Sequence, residues 1–113
     1  MDKLDIIAAS RKARTAKQLE VPVPEWGNGT VVHLRMMDLA EREAYEKLNQ
    51  NGITGDFMSQ LLQRTLCDAA GELVFDTLDE VRQIDSVVGA RLFWAARDLN
   101  RIGMDAVETV SKN

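Results

Sequence analysis

This chain has one cysteine, one histidine, two prolines and no apolar run long enough to cross a bilayer, and each scarcity excludes a class of protein. A lone thiol, Cys67, cannot form an intrachain disulfide and suits a reducing cytoplasm. His33 and Cys67 cannot build a zinc site without several carboxylates. Nor can they supply nucleophilic catalysis, which needs a base within hydrogen-bond reach of the nucleophile and a third group to orient it. A membrane-spanning helix needs about 20 consecutive apolar residues. The opening MDKLDIIAASRKAR carries an acid at position 2 and its basic cluster after the apolar residues, the reverse of a secretory signal. The net charge of −4 argues against a general affinity for nucleic acid, which requires a basic surface to displace counterions. A helix-turn-helix regulator would need a basic recognition helix, and the helical stretch 57–67 offers only Arg64. Gly27 and Gly29 lack the strand-to-helix context of a phosphate loop. The acids sit mostly at helix caps and in i,i+4 pairs, with no buried catalytic couple among them. No enzyme activity, cofactor, metal or membrane partner is expected; protein partners are.

What is present suits one packed domain over residues 1–113: 45% of the chain is hydrophobic and 28% charged. One β-rich island interrupts a chain that otherwise reads as helix. In LEVPVPEWGNGTVVHLRMM, Leu19 to Met37, two period-2 runs flank Gly27-Asn28-Gly29 and predict a hairpin with one apolar face. A turn on Gly27-Asn28 sets Val23 opposite Val32 and Glu20 opposite Arg35. A turn on Asn28-Gly29 sets Val23 opposite Leu34 and Pro22 opposite Arg35. Both keep the apolar face intact, so the register stays open. Pro22 and Pro24, two apart, remove N–H groups from one side of the first strand and make it an edge closed to further pairing. Two strands alone are marginal, so helices must cover their apolar face.

The helical signals are equally local. Residues 2 to about 14 predict a short helix with Leu4, Ile7 and Ala8 on one face, ending in the basic cluster Arg11, Lys12, Arg14 and Lys17. Asp38 with Glu41 opens a helix from Leu39 to about Gln50, grouping Ala40, Ala44, Tyr45 and Leu48 and offering Glu43–Lys47 as an i,i+4 pair. Asp56 caps a third, with an apolar stripe of Phe57, Met58, Leu61, Leu62 and Leu66 that Cys67 ends as a buried thiol. After a turn at Asp68–Gly71 and an extended run Leu73-Val74-Phe75, Thr77 and Glu80 box a short helix with Val81 and Ile84 inward. Ser86 opens the longest helix, to Ile102, with a seam of Val88, Leu92, Ala95, Leu99 and Ile102; Asp105 caps a last turn or two with Val107 and Val110. The expected architecture is α+β: mostly helical, with one N-terminal hairpin at about residues 19–37 packed on several helices.

Five residues are candidates for partner contact. Trp26 shares the parity of Glu20 and Pro22, so it is either an exposed anchor beside the turn or a lid folded over the hairpin end. Trp94 is displaced from the seam onto the face of Val87 and Arg91, either as core or as part of a second apolar face for a partner helix. Phe75, on the extended run, completes the set.

Taken in order, these pieces resemble the phage tail assembly chaperones. Val23-Pro24-Glu25-Trp26-Gly27, a strand ending in Leu34-Arg35 and the start Glu41-Arg42-Glu43 match the front half of that family. Leu66-Cys67-Asp68, Gly71-Glu72, Leu73-Val74-Phe75, the Asp79–Val81 helix, Arg91-Leu92, Leu99-Asn100 and Lys112-Asn113 match the back half. Trp26 to Gly29 and Asn49 to Gly55 depart from the pattern. The resemblance implies a non-enzymatic protein of long, non-contractile-tailed phages, acting in the host bacterial cytoplasm and absent from the finished virion. Its implied partners are the tape measure protein, tail tube (major tail) subunits, further copies of itself as a homo-oligomer, and a longer frameshifted form of itself. Lys112-Asn113 is encodable as AAA-AAC, a run on which a ribosome slips. A competing expectation for this size and composition is a structural tail or head–tail component retained in the virion.

Overall fold

A computed structural model describes residues 1–52 and 54–103. The Asp105 cap, Val107, Val110 and Lys112-Asn113 lie outside them.

The hairpin forms from β1 (Leu19–Pro22) and β2 (Val31–Leu34), with Leu19 opposite Leu34 and Val21 opposite Val32. This is neither of the two expected registers. Both assumed a two-residue turn within Gly27–Gly29. Pro24 instead starts a 3₁₀ turn over Pro24–Trp26, and the loop closes through Val23 N–H to Thr30 O at 2.9 Å and Thr30 N–H to Gly27 O at 3.1 Å. The pairing slips by two residues from the first expected register and four from the second, even numbers both, so the apolar face survives. The Val23 N–H points at Thr30, so the nitrogens of Pro22 and Pro24 face outward, and β1 is the edge of the sheet.

A third strand, β3 (Leu66–Cys67), joins the far side of β2, with His33 opposite Cys67 and Leu34 opposite Leu66. The helical stretch expected over 57–67 therefore stops at Thr65. The open edge of β2 takes the next two residues, and Arg35 N–H reaches Thr65 O at 2.9 Å. Of the run Leu73-Val74-Phe75, expected to be extended, only Leu73 pairs, as a single bridge to Cys67; the chain bends at Val74, whose N–H donates to Leu66 O at 3.1 Å. The turn before it holds because Asp68 Oδ1 accepts from Ala70 and Glu72 N–H while Gly71 takes a φ of 88°.

Five α-helices stand among the described residues. α1 (Lys3–Ala16) is boxed by Asp2 and Asp5, yet none of its residues is buried. α2 (Leu39–Leu48) is boxed by Asp38 and Glu41; of its predicted stripe only Tyr45 is buried, leaving Ala40, Ala44 and Leu48 exposed. Its i,i+4 ion pair is Arg42–Glu46 at 3.0 Å, not Glu43–Lys47, because Arg42 also spans to the Asn100 carbonyl. α3 (Phe57–Thr65) follows Asp56, whose carboxylate accepts from Gln60 Nε2 at 2.6 Å and Thr54 Oγ1 at 3.0 Å rather than capping backbone N–H groups. α4 (Leu78–Val81) has the expected Thr77–Glu80 box. α5 (Ser86–Leu99) begins at Ser86 as expected and is capped by Asp85, whose carboxylate accepts from Val88 N–H at 3.0 Å. At 14 residues α5 equals α1 in length, and it stops at Leu99 rather than Ile102.

The core lies where the apolar face of the hairpin meets α3 and α5. Val23, Leu34, Leu61, Val88 and Leu92 are fully buried there, and each contributes roughly 1.5–3 kcal/mol on leaving water. Phe93 and Ala96 are buried beside the Val88–Leu92 seam, so α5 is covered on a broader face than the heptad pattern implied. Asn100 locks this layer: its Oδ1 accepts from Met37 N–H at 2.7 Å and its Nδ2 donates to Ala96 O at 2.9 Å. The described residues thus form an α+β unit with a three-stranded antiparallel sheet.

Candidate functional site

Trp94 forms one wall of an apolar groove. α5 must bury Leu92, Phe93 and Ala96 against α3, and the 3.6-residue turn then leaves Trp94 facing outward, 51% exposed. The groove holds about 400 Å³ and is lined by Tyr45, Glu46 and Asn49 from the α2 end, Phe57 from α3, and Phe93, Trp94, Arg97 and Ile102 from the α5 side. Its floor is an edge-to-face ladder, Phe57 to Phe93 at 5.2 Å and Phe93 to Trp94 at 5.3 Å between ring centroids. Arg97 stacks over the Trp94 ring at 5.1 Å. Tyr45 hydroxyl donates to Phe57 O at 3.4 Å, and burial raises its pKa. The groove is therefore a fixed aromatic surface with a thin polar rim, suited to apolar side chains.

A second groove, of about 370 Å³, opens on the other side of the sheet end between Trp26, Val31, His33, Cys67, Phe75 and Ile84. His33 Nδ1 is buried here without a hydrogen-bond partner, and burial raises the pKa of the Cys67 thiol, which makes it a poor nucleophile.

The five candidate residues are distributed between these places. Trp94 borders the first groove; Trp26 and the half-buried Phe75 line the second. Val87, Arg91 and Trp94 share one strip of α5 at i, i+4 and i+7, with Val87 70% exposed. Trp26 is 43% exposed, and its Nε1–H donates to Asp85 Oδ1 at 2.8 Å, tying the hairpin loop to the start of α5. Arg91 is committed to the same junction through a bidentate pair with Glu25. That guanidinium holds the Glu25 carboxyl down at about 2, and the Val88 N–H, then the Trp26 indole, lower Asp85. Sequence reasoning assigned Phe57 and Tyr45 to the core and did not single out Arg97. The i,i+3 spacing of Trp94 and Arg97 was the available signal.

Among the described residues no group of three or more His, Cys, Asp or Glu side chains comes together to hold a metal ion, and no helix is long and apolar enough to cross a membrane. No protein-family model and no curated protein matches the chain. Among solved structures, the chain is similar to the tail assembly chaperone of bacteriophage HK97: 26% identity, a TM-score of 0.57, and 73% of this chain matched to 83% of that one.

Proposed function

We propose that this protein is a phage tail assembly chaperone whose single domain spans residues 1–113 and whose Trp94 groove holds an amphipathic helix of the tape measure protein. The observation that carries the reading is the groove itself, a fixed aromatic ladder left open on an acidic chain. Its likeness to the HK97 chaperone supports a role in tail assembly at large. The mechanism is binding without chemistry. A long helical partner exposes apolar stripes; copies of this module cover them one groove at a time, and weak contacts repeated along one chain give avidity while permitting displacement. On this reading Trp94 is the anchor, Arg97 and Glu46 frame the rim, and Val87 extends the contact along α5, while Trp26 and Arg91 hold the hairpin loop in place and Phe75 serves the second groove. Tail tube subunits are recruited to the coated chain, and the protein acts in the host cytoplasm and leaves before the virion is complete.

Co-expression tests this. The tape measure protein co-purifies with the wild-type chain and gains solubility. Trp94→Ala weakens the complex by about 2 kcal/mol, roughly thirtyfold, as expected of a central aromatic anchor. Unchanged recovery with Trp94→Ala rejects the groove; no co-purification at all rejects the chaperone reading. Mass-spectrometric detection in purified virions would favour a retained structural component instead. The coding DNA decides the longer form: codons that break the AAA-AAC run at Lys112-Asn113, with no overlapping −1 frame, remove it.

A further inference from the structure

We propose that the apolar face of α1 seats in the Trp94 groove of a second copy of this chain, holding the groove as a placeholder until a partner helix displaces it. Three observations carry this. First, α1 is a capped 14-residue helix without a single buried residue, and Leu4 and Ile7, on one face, stay 69% and 49% exposed. A helix of about 12–15 residues is marginal in water without a tertiary partner. Its own body meets only its C-terminal half: Arg14 pairs with Asp38 at 3.6 Å, and Arg11, Arg14 and Thr15 border a cleft shared with Arg35 and Glu72, beyond Leu4 and Ile7.

Second, the charge is split. Residues 1–18 carry five cations and two acids, net +3, whereas residues 19–113 carry −7. The arm and the body attract between copies. Glu46 stands on the groove rim, where it pairs with Arg42 at 3.0 Å, and two exposed acids, Glu43 one turn before it on α2 and Asp98 one turn after Trp94 on α5, lie on the helices that border the groove. Third, the groove is built for this class of ligand. Its aromatic ladder sets ring centroids 5.2 and 5.3 Å apart, close to the roughly 5–6 Å between positions i and i+3 on a helix, the spacing of Leu4 and Ile7. This rests on the reading that the groove accepts an amphipathic helix, and it adds which helix fills it first.

The test is a complementation of two defects, read by sedimentation at low salt with the full chain. Leu4→Asp with Ile7→Asp spoils the arm and leaves the groove; Trp94→Glu spoils the groove and leaves the arm. Wild type self-associates, each variant alone sediments as a monomer, and their equimolar mixture regains a dimer, which also shows that both fold. Raising salt from 0.05 to 0.5 M, roughly a threefold fall in the Debye length, weakens the wild-type association at least tenfold. A monomeric wild type, self-association of either variant like wild type, or a mixture that stays monomeric overturns the proposal. A synthetic tape measure helix is then titrated in separately. If complementation succeeds and that helix neither binds nor competes, the arm contact stands and the chaperone reading falls.

Discussion

At the residue scale, the junction between the hairpin loop and α5 rests on two carboxylates. Glu25 is held at about 2 by Arg91, and Asp85 is lowered by the Val88 N–H and the Trp26 indole. A depressed folded-state pKa contributes stability that is present above the unfolded value and lost as pH falls toward the folded one. The latch is therefore intact at neutral pH and releases between about 4.5 and about 2. Tryptophan emission followed by acid titration shifts in that window, and Glu25→Gln reduces the shift without changing emission at pH 7. Asn100 makes a different kind of contact. Asn100→Ala leaves the Met37 N–H without its acceptor in a buried site, which costs about 1–3 kcal/mol in urea unfolding.

These contacts explain why residues were unevenly legible. Trp26 was assigned two fates by parity alone. Its hydrogen bond spans 59 positions to Asp85, which no local pattern encodes. The pairing of Arg91, a candidate partner contact, with Glu25 was not legible because the two lie 66 residues apart.

At the element scale, caps were the most readable feature. Asp38–Glu41 and Thr77–Glu80 appear as predicted because the geometry involves only four consecutive residues. Asp38→Ala is expected to cost about 1 kcal/mol in chemical denaturation, with the loss concentrated in α2 by hydrogen exchange. Where a competing partner stood nearby, the same logic failed. Asp56 gave its carboxylate to Gln60 and Thr54. The hairpin register failed for a related reason: Pro24 committed the loop to a 3₁₀ turn before the glycines were reached.

At the scale of the whole molecule, stability is unequal. α5 buries Val88, Leu92, Phe93 and Ala96, whereas α1 buries nothing. Leu92→Ala is expected to cost about 2–5 kcal/mol, enough to threaten folding. Amide exchange in dilute solution is expected to be rapid throughout α1 and slow in the middle of α5. Protection in α1 that rises with protein concentration is the signature of an arm seated on another copy; protection independent of concentration would mean that α1 packs on its own body.

The sequence alone determined the elements: period-2 runs, capping boxes, edge prolines and a heptad-like seam are short-range patterns, and an α+β unit with an N-terminal hairpin follows from them. Only the tertiary structure decided what those elements leave uncovered. β3 was read as helix because its strand partner, β2, lies some thirty residues upstream. The Trp94 groove arises where α2, α3 and α5 converge, from residues as far apart as Tyr45 and Ile102. With Phe93 buried, the roughly 100° step between successive helix residues carries Trp94 outward to the rim of the groove that both line. Whether that outward face meets solvent or another helix depends on packing between distant segments, which amphipathic spacing within one segment does not contain.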